Sequence, residues 1–281
     1  MDRKDYDMYD ENMIRIVNDL SIPELDVYRL YNEIQLRKIN EPNPGIFICE
    51  SPKVILRALE VGYEPISILT AFDYNHANDE GKAVFDACRE VTIYLGDDDV
   101  LKNLAGYALT DGMLAAMKRK ELKGLEDICK GKRIVAVLEN INNPTNVGAI
   151  FRSAAAMGLE AIILTADSSD PYYRRAERVS MGTVFQIPWT RIDKGVDYLS
   201  ALKASGFSTV AMALSREAVS ISDPRIKDED KLAVILGNEG YGLKDDTIER
   251  SDYVAMIPMN PVVDSLNVAA ASAVMFWELN K

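Results

Sequence analysis

From Arg133 onward the chain is a succession of short, nearly uninterrupted apolar runs, and this constrains the fold more than any other feature. The runs are IVAVLEN (134–140), AIILTA (161–166), STVAMAL (208–214), KLAVILG (231–237) and YVAMIPM (253–259). All read as strands, and IVAVLEN, nearly continuous in its apolar residues, describes one covered on both sides, as in parallel sheets. Between the runs lie AIFRSAAAMG, RRAERVSMG and VDYLSALKASG, with SLNVAAASAVMFWELN at the end, all reading as helices. FQIPWTRI follows the second helix, and SREAVSISDP reads as a loop. The alternation predicts an α/β domain with a largely parallel sheet and helices on both faces.

The upstream part has a different rhythm. DENMIRIVNDL and IPELDVYRLYNEIQLRKI read as helices from the spacing of their apolar residues, and NEPNPG (40–45) ends them. GIFICE then reads as a strand, and Ser51-Pro52 as the N-cap and first residue of a helix reaching about Glu60. ISILTAF, VTIYL and MLAAMKR read as strands, GKAVFDACRE and VLKNLAGY as helices. The 281 residues suit two domains. The expected division is a small α/β domain over 1–120, a polar linker over 121–132 and a second α/β domain over 133–281.

Composition narrows the chemistry. No apolar run is long enough for a membrane span, and the polar start MDRKDYDMYDENM does not resemble a secretory signal, so a cytoplasmic protein is expected. The cysteines at 49, 88 and 129 show no metal-ligand spacing, so no metal is expected. His76 is the one histidine and sits in the polar loop DYNHANDEG, which suits a solvated side chain better than a catalyst. A net charge of −12 opposes tight nonspecific binding to nucleic acid. Local basic clusters remain at Lys118-Arg119-Lys120, Lys130 to Arg133, and Arg174-Arg175 with Arg178.

Three segments place polar residues just beyond apolar runs, where open α/β folds bind ligands. In NNPTNVGAIFRSAAAMG, Asn142, Asn143 and Asn146 crowd a loop, and Arg152 falls inside a helix expected to start near Val147. A guanidinium among Ala149, Ile150 and Phe151 needs a partner or a route to the surface. In VILGNEGYGL the glycines run G-x-x-G-x-G, which is neither the dinucleotide fingerprint nor a phosphate loop. Glu239 within that turn either meets Arg152 or caps a helix N-terminus. In the third segment Ser265 is the expected N-cap of the last helix, which leaves Asn267 in its first turn. The run Ala269 to Ala273 is small enough for another backbone to approach closely, as in a subunit contact.

Together the segments resemble the motifs of the SpoU/TrmH group of SPOUT RNA 2′-O-methyltransferases. Asn146 and Arg152 match its Asn-then-Arg motif, and Leu236-Gly237-Asn238-Glu239-Gly240 its Gly-x-Glu-Gly turn. Ile257-Pro258-Met259 with Ser265-Leu266-Asn267 match its third motif. Arg178 and Ser180-Met181-Gly182 resemble the stretch between the first two. The resemblance covers about 133–279, and 40–120 looks like an RNA-binding domain of the ribosomal L30e type. Pro261 stands where the family usually has glycine, and a proline there changes backbone geometry in the cofactor loop.

The resemblance implies a SPOUT catalytic domain with a C-terminal trefoil knot, working as a homodimer on RNA with S-adenosyl-L-methionine. The cofactor would contact Leu236, Gly237, Asn238, Gly240, Ile257, Met259, Ser265 and Leu266. The catalytic group would be Asn146, Arg152, Glu239, Ser265 and Asn267. The family's proposed base is Arg152, yet a guanidinium keeps its proton in water. The expectation is therefore that Arg152 stabilises a developing alkoxide and grips a phosphate, with Asn146 orienting it. Ribosomal RNA is favoured over transfer RNA because of the upstream domain. The alternatives are a noncatalytic RNA-binding or ribosome-associated module of the same fold, and an unrelated α/β enzyme binding a nucleotide at GNEGYG.

Overall fold

The structure, a computed structural model, describes residues 13–18, 21–71, 79–97, 101, 112–260, 262 and 265–280. Its chain divides into two units, Met1–Glu121 with Tyr172–Gly182, and Leu122–Pro171 with Thr183–Lys281. His76, Pro261 and all of VLKNLAGY except Leu101 lie outside the described residues.

The first unit holds β1 (Ile14–Val17), α1 (Asp26–Arg29), α2 (Glu33–Lys38), β2 (Ile46–Glu50) and α3 (Pro52–Glu60). β3 (Pro65–Ala71), α4 (Asp79–Ala87), β4 (Thr92–Gly96) and β5 (Met113–Lys118) follow. Its sheet runs β1-β4-β3-β5-β2, parallel across β1, β4 and β3 and antiparallel at β5 and β2. Leu25, Leu36, Ile46, Ile48, Leu69 and Leu114 share its core, where the Tyr28 hydroxyl lies 2.7 Å from the Ser67 hydroxyl.

Three local expectations change here. DENMIRIVNDL is not a helix where it is described: Ile14, Ile16 and Val17 are β-branched and extend β1 along β4. The following helix is broken into a 3-10 turn at Pro23–Leu25, then α1 and α2. The break is chemical, because Asn32 and Gln35 form a reciprocal capping box at 2.9 Å each way and start a new helix. Pro52 opens α3 as expected, but Ser51 does not cap it with its side chain. Instead Ser51 sits at φ 86°, its N–H donating to the Met113 carbonyl (3.0 Å) and its carbonyl accepting from Ile55 N–H (3.1 Å).

The remaining elements are α5 (Leu125–Cys129), β6 (Ile134–Leu138), α6 (Pro144–Ala156), β7 (Ala161–Leu164), α7 (Arg174–Ser180) and β8 (Trp189–Arg191). Then come α8 (Tyr198–Ala204), β9 (Ser208–Met212), β10 (Val219–Ser220), α9 (Pro224–Lys227), β11 (Leu232–Leu236), α10 (Asp245–Arg250), β12 (Tyr253–Met256) and α11 (Val268–Leu279). Two stretches depart from the expected boundaries. Residues 121–132 are not simply a linker, since Ile128 and Cys129 of α5 are buried in the second unit's core. The stretch 172–182, with α7, groups with the first unit. Tyr172 stacks on Phe47 with centroids 4.6 Å apart and hydrogen-bonds the Tyr63 hydroxyl, and the Arg174 N–H donates to Glu33 at 2.8 Å.

The second unit's sheet has the order β10-β12-β9-β11-β6-β7-β8, and every pairing is parallel. β6 and β11, at its centre, are buried along their whole length, as unbroken apolar runs require. Val135 and Val137 share a core with Tyr198, Leu199 and Leu202 of α8. α6 buries Val147, Ile150, Phe151 and Ala154, a helical stripe, and packs on α11, whose small residues admit the close approach. Burying one Phe151 or Phe276 ring contributes about 2–3 kcal/mol. The strand order reverses beside β6 and β11, so the loops leaving their carboxyl ends flank a topological switch point.

Candidate active site

The carboxyl ends of β9, β11 and β12 open onto a cavity of about 530 Å³, a size that suits a cofactor. Leu236, Gly237, Asn238, Gly240, Ile257, Met259, Ser265 and Leu266 all line it, as do Glu239 and Asn267. The turn after β11 forms one wall. Asn238 and Gly242 pair antiparallel through both backbone groups (3.1 and 2.9 Å), and the Asn238 carboxamide oxygen accepts from Gly240 N–H at 2.8 Å. Gly237 is obligatory here: a Cβ would lie 2.5 Å from backbone atoms of Gly242 and Leu243. Gly242 has φ +72°, open to glycine at no cost.

Asn146, Glu239 and Asn267, far apart in sequence, form one relay. α11 is capped by Asn267, not Ser265: the Asn267 carboxamide oxygen accepts from Ala269 N–H at 2.9 Å. That bond turns its NH₂ group toward Asn146, whose carboxamide oxygen accepts at 3.2 Å. The Asn146 NH₂ group in turn donates to a Glu239 carboxylate oxygen. Each amide has one arrangement that satisfies both neighbours, so the network fixes its own polarity. Ser265, freed from capping, is exposed at the cavity.

Arg152 differs from its expected setting. Asn143 caps α6 through Thr145 N–H (2.9 Å), so the helix starts at Pro144 and Asn146 lies inside its first turn, buried. Six residues further on, Arg152 is on the exposed side of α6 and has no ion-pair partner among the described residues. The Arg152–Glu239 pair anticipated from the apolar surroundings is absent there; Glu239 takes an amide donor instead. Hydration satisfies the guanidinium at the surface and leaves it available to an anion.

Sequence reasoning passed over Glu139, immediately after β6 and 1% exposed. It accepts from Lys244 N–H at 2.9 Å and from the Tyr198 and Thr247 hydroxyls, both at 2.6 Å. The signal was available: a carboxylate ending a buried strand needs partners, as a guanidinium in apolar surroundings does. Burial, and then the bond to Glu139, push the Tyr198 phenol well above its ordinary range, which keeps it a donor. Leu214 and Tyr241, also at the cavity and exposed, lack a recognisable pattern. The three cysteines are buried thiols, and burial raises Cys88 and Cys129 to about 11, unsuited to nucleophilic work.

Residues 133–277 match the model of the SpoU rRNA Methylase family. An uncharacterized tRNA/rRNA methyltransferase of Mycobacterium bovis is 33% identical over 94% of this chain and 91% of its own length. A 23S rRNA (guanosine-2′-O-)-methyltransferase of Xanthomonas campestris is 32% identical over 56% of this chain and 62% of its own. Among solved structures, an rRNA methyltransferase from Sinorhizobium meliloti superposes with a TM-score of 0.78 at 23% identity, covering 95% of this chain and 97% of that one. Its AdoMet-bound form gives 0.78 at 24% identity, over 95% of this chain and 97% of that one. These two likenesses establish the fold. The chain belongs to the SpoU rRNA methylase family, and it is accordingly an RNA methyltransferase.

Proposed function

We propose that the protein transfers the methyl group of S-adenosyl-L-methionine to a ribose 2′-hydroxyl of structured RNA, ribosomal RNA in preference to transfer RNA. The observation that carries this is the Asn267–Asn146–Glu239 relay at the edge of a cavity of about 530 Å³. The residues fit the cofactor: a backbone-walled turn that only glycine can close, with Leu236, Ile257, Met259 and Leu266 supplying apolar lining. Together with Gly237, Asn238, Gly240 and Ser265, they would hold it. When bound, it supplies a sulfonium-activated methyl, so the protein needs no covalent nucleophile.

What is left to the protein is alignment and proton handling. Arg152, solvated and unpaired among the described residues, would meet the phosphate beside the target nucleotide and stabilise negative charge growing on the 2′-oxygen. The relay would hold Glu239 in place, and Ser265 with Asn267 would position the ribose.

The curated relative of 2′-O specificity and the AdoMet-bound fold neighbour support the reaction and the cofactor. The trefoil knot is proposed for the chain around the cavity, after the resemblance in its motifs. A homodimer through the second unit fits the exposed Val274 and Trp277 of α11 (40% and 56%). An L30e-like RNA-binding role is proposed for the first unit, and the cytoplasm, where thiols stay reduced, suits three buried free cysteines.

The deciding experiment compares 2′-O-methylation along RNA from a strain lacking the gene and its parent. It is joined to transfer of labelled methyl from S-adenosyl-L-methionine to the deletion strain's RNA. One ribose methyl lost in the cell and restored in vitro is expected. Label recovered on a base, or no transfer to any RNA, would overturn the reading.

A further inference from the structure

The turn that walls the cavity is fastened at both ends to two consecutive residues. At its start, Glu139 N–H donates to the Leu236 carbonyl at 2.9 Å, and the Asn140 carbonyl accepts from the Asn238 carboxamide at 2.8 Å. At its end, one Glu139 carboxylate oxygen accepts from Lys244 N–H and the other from Thr247. Tyr198, from α8, completes that oxygen's partners. Between these anchors Glu239, Gly240, Tyr241 and Gly242 are exposed, Tyr241 to 92%. Asn140 takes φ 59°, an uncommon conformation outside glycine.

The cost of taking a carboxylate out of water offsets much of what its three hydrogen bonds contribute to stability. What the group does supply is direction. Its donors come from the loop end at Lys244, from α10 and from α8, so a single group sets where the turn ends and α10 begins. Glu139 is not among the residues lining the cavity and does not reach its contents.

We propose that Glu139 is the positioning residue of the cofactor turn, holding residues 237–244 in their receiving shape through Lys244, Thr247 and Tyr198. The proposal rests on the reading of this cavity as the S-adenosyl-L-methionine site. Asn238 shapes the turn through its carboxamide and the glycines through backbone geometry, while Glu139 fixes where the turn ends. Loosening it would cost cofactor affinity before it cost RNA affinity.

The test uses the full chain with Thr247→Val, which keeps shape but removes one donor, and Thr247→Ser, which keeps the donor. Amide hydrogen exchange of residues 238–244 is followed without ligand, and S-adenosyl-L-methionine binding by calorimetry well below the melting temperature. Thr247→Val is expected to speed exchange across the turn and weaken binding about 10-fold, the scale of a modest misplacement. Its KM for RNA should stay within about twofold of wild type, and Thr247→Ser should restore both turn exchange and binding. Faster melting with unchanged exchange and affinity would overturn the proposal, because the network would then be structural only. If the wild-type protein bound no S-adenosyl-L-methionine, the reading of the cavity would fall. The exchange comparison would still decide whether Glu139 holds the turn.

Discussion

Arg152 stands apart from the Asn267–Asn146–Glu239 relay. Because it is exposed on α6 and makes no ion pair among the described residues, its truncation removes no salt bridge there. Arg152→Ala should change unfolding free energy by no more than about 0.5 kcal/mol, measured in urea. S-adenosyl-L-methionine affinity should stay as it was, while methyl transfer should fall about 100-fold or more if the guanidinium stabilises developing charge. Full residual turnover would remove it from the chemistry. Gly237 makes the opposite case. Gly237→Ala puts a methyl 2.5 Å from the backbone of Gly242 and Leu243, so the turn must open. Calorimetry should show cofactor binding lost, with a stability cost of about 1–3 kcal/mol.

At the scale of elements, the periodic parts were the legible ones. The runs around β6, β7 and β11 could be placed because a strand covered on both faces leaves an apolar sequence whatever its neighbours. The five-residue α5, the six-residue α10 and the two-residue β10 have too few turns or pairs to establish a period. β1 was hidden for another reason: as an edge strand it buries Val17 alone, and its apolar spacing mimics a helix. The site residues could be read because asparagine, glutamate and arginine are conspicuous beyond apolar runs. Which of them touch could not, since polarity passes between amides only once Asn267 caps α11.

The join between α8 and α10 gives a pH prediction. Asp197 caps α8 through Ser200 and also accepts from Arg250 of α10 at 2.6 Å. The Ser200 hydroxyl, then Arg250, hold its carboxyl down at about 2, below the unfolded value near 3.8. A carboxylate so depressed adds stability that is complete above the unfolded value and fades as pH falls toward 2. Urea midpoints measured from pH 5 to 2 should therefore fall less steeply in Asp197→Asn than in wild type. Parallel slopes would show that the contact is too solvated to matter.

For the whole molecule, charge sets how RNA can be held. With 32 basic and 44 acidic side chains, the chain has no general attraction for polyanions, so contact depends on a few placed cations. Binding of an arbitrary duplex RNA should be weak at about 150 mM KCl. For the methylated target, log affinity should fall with log salt, and Arg152→Ala should lessen that slope by about one, the loss of one phosphate contact. An unchanged slope would show that Arg152 meets no phosphate.

The path of the chain bears on how such enzymes can be recombined. The family match over 133–277 invites a cut near its upstream end and transplantation of everything beyond. Yet Tyr172–Gly182 lies inside that stretch while its stacking and hydrogen-bonding partners, Phe47, Tyr63 and Glu33, lie upstream of the cut. A chimera made there would carry a strip of foreign surface with an unmatched aromatic ring. A working exchange would move that strip together with its upstream partners, so the parts of this chain that travel together are not contiguous in the gene.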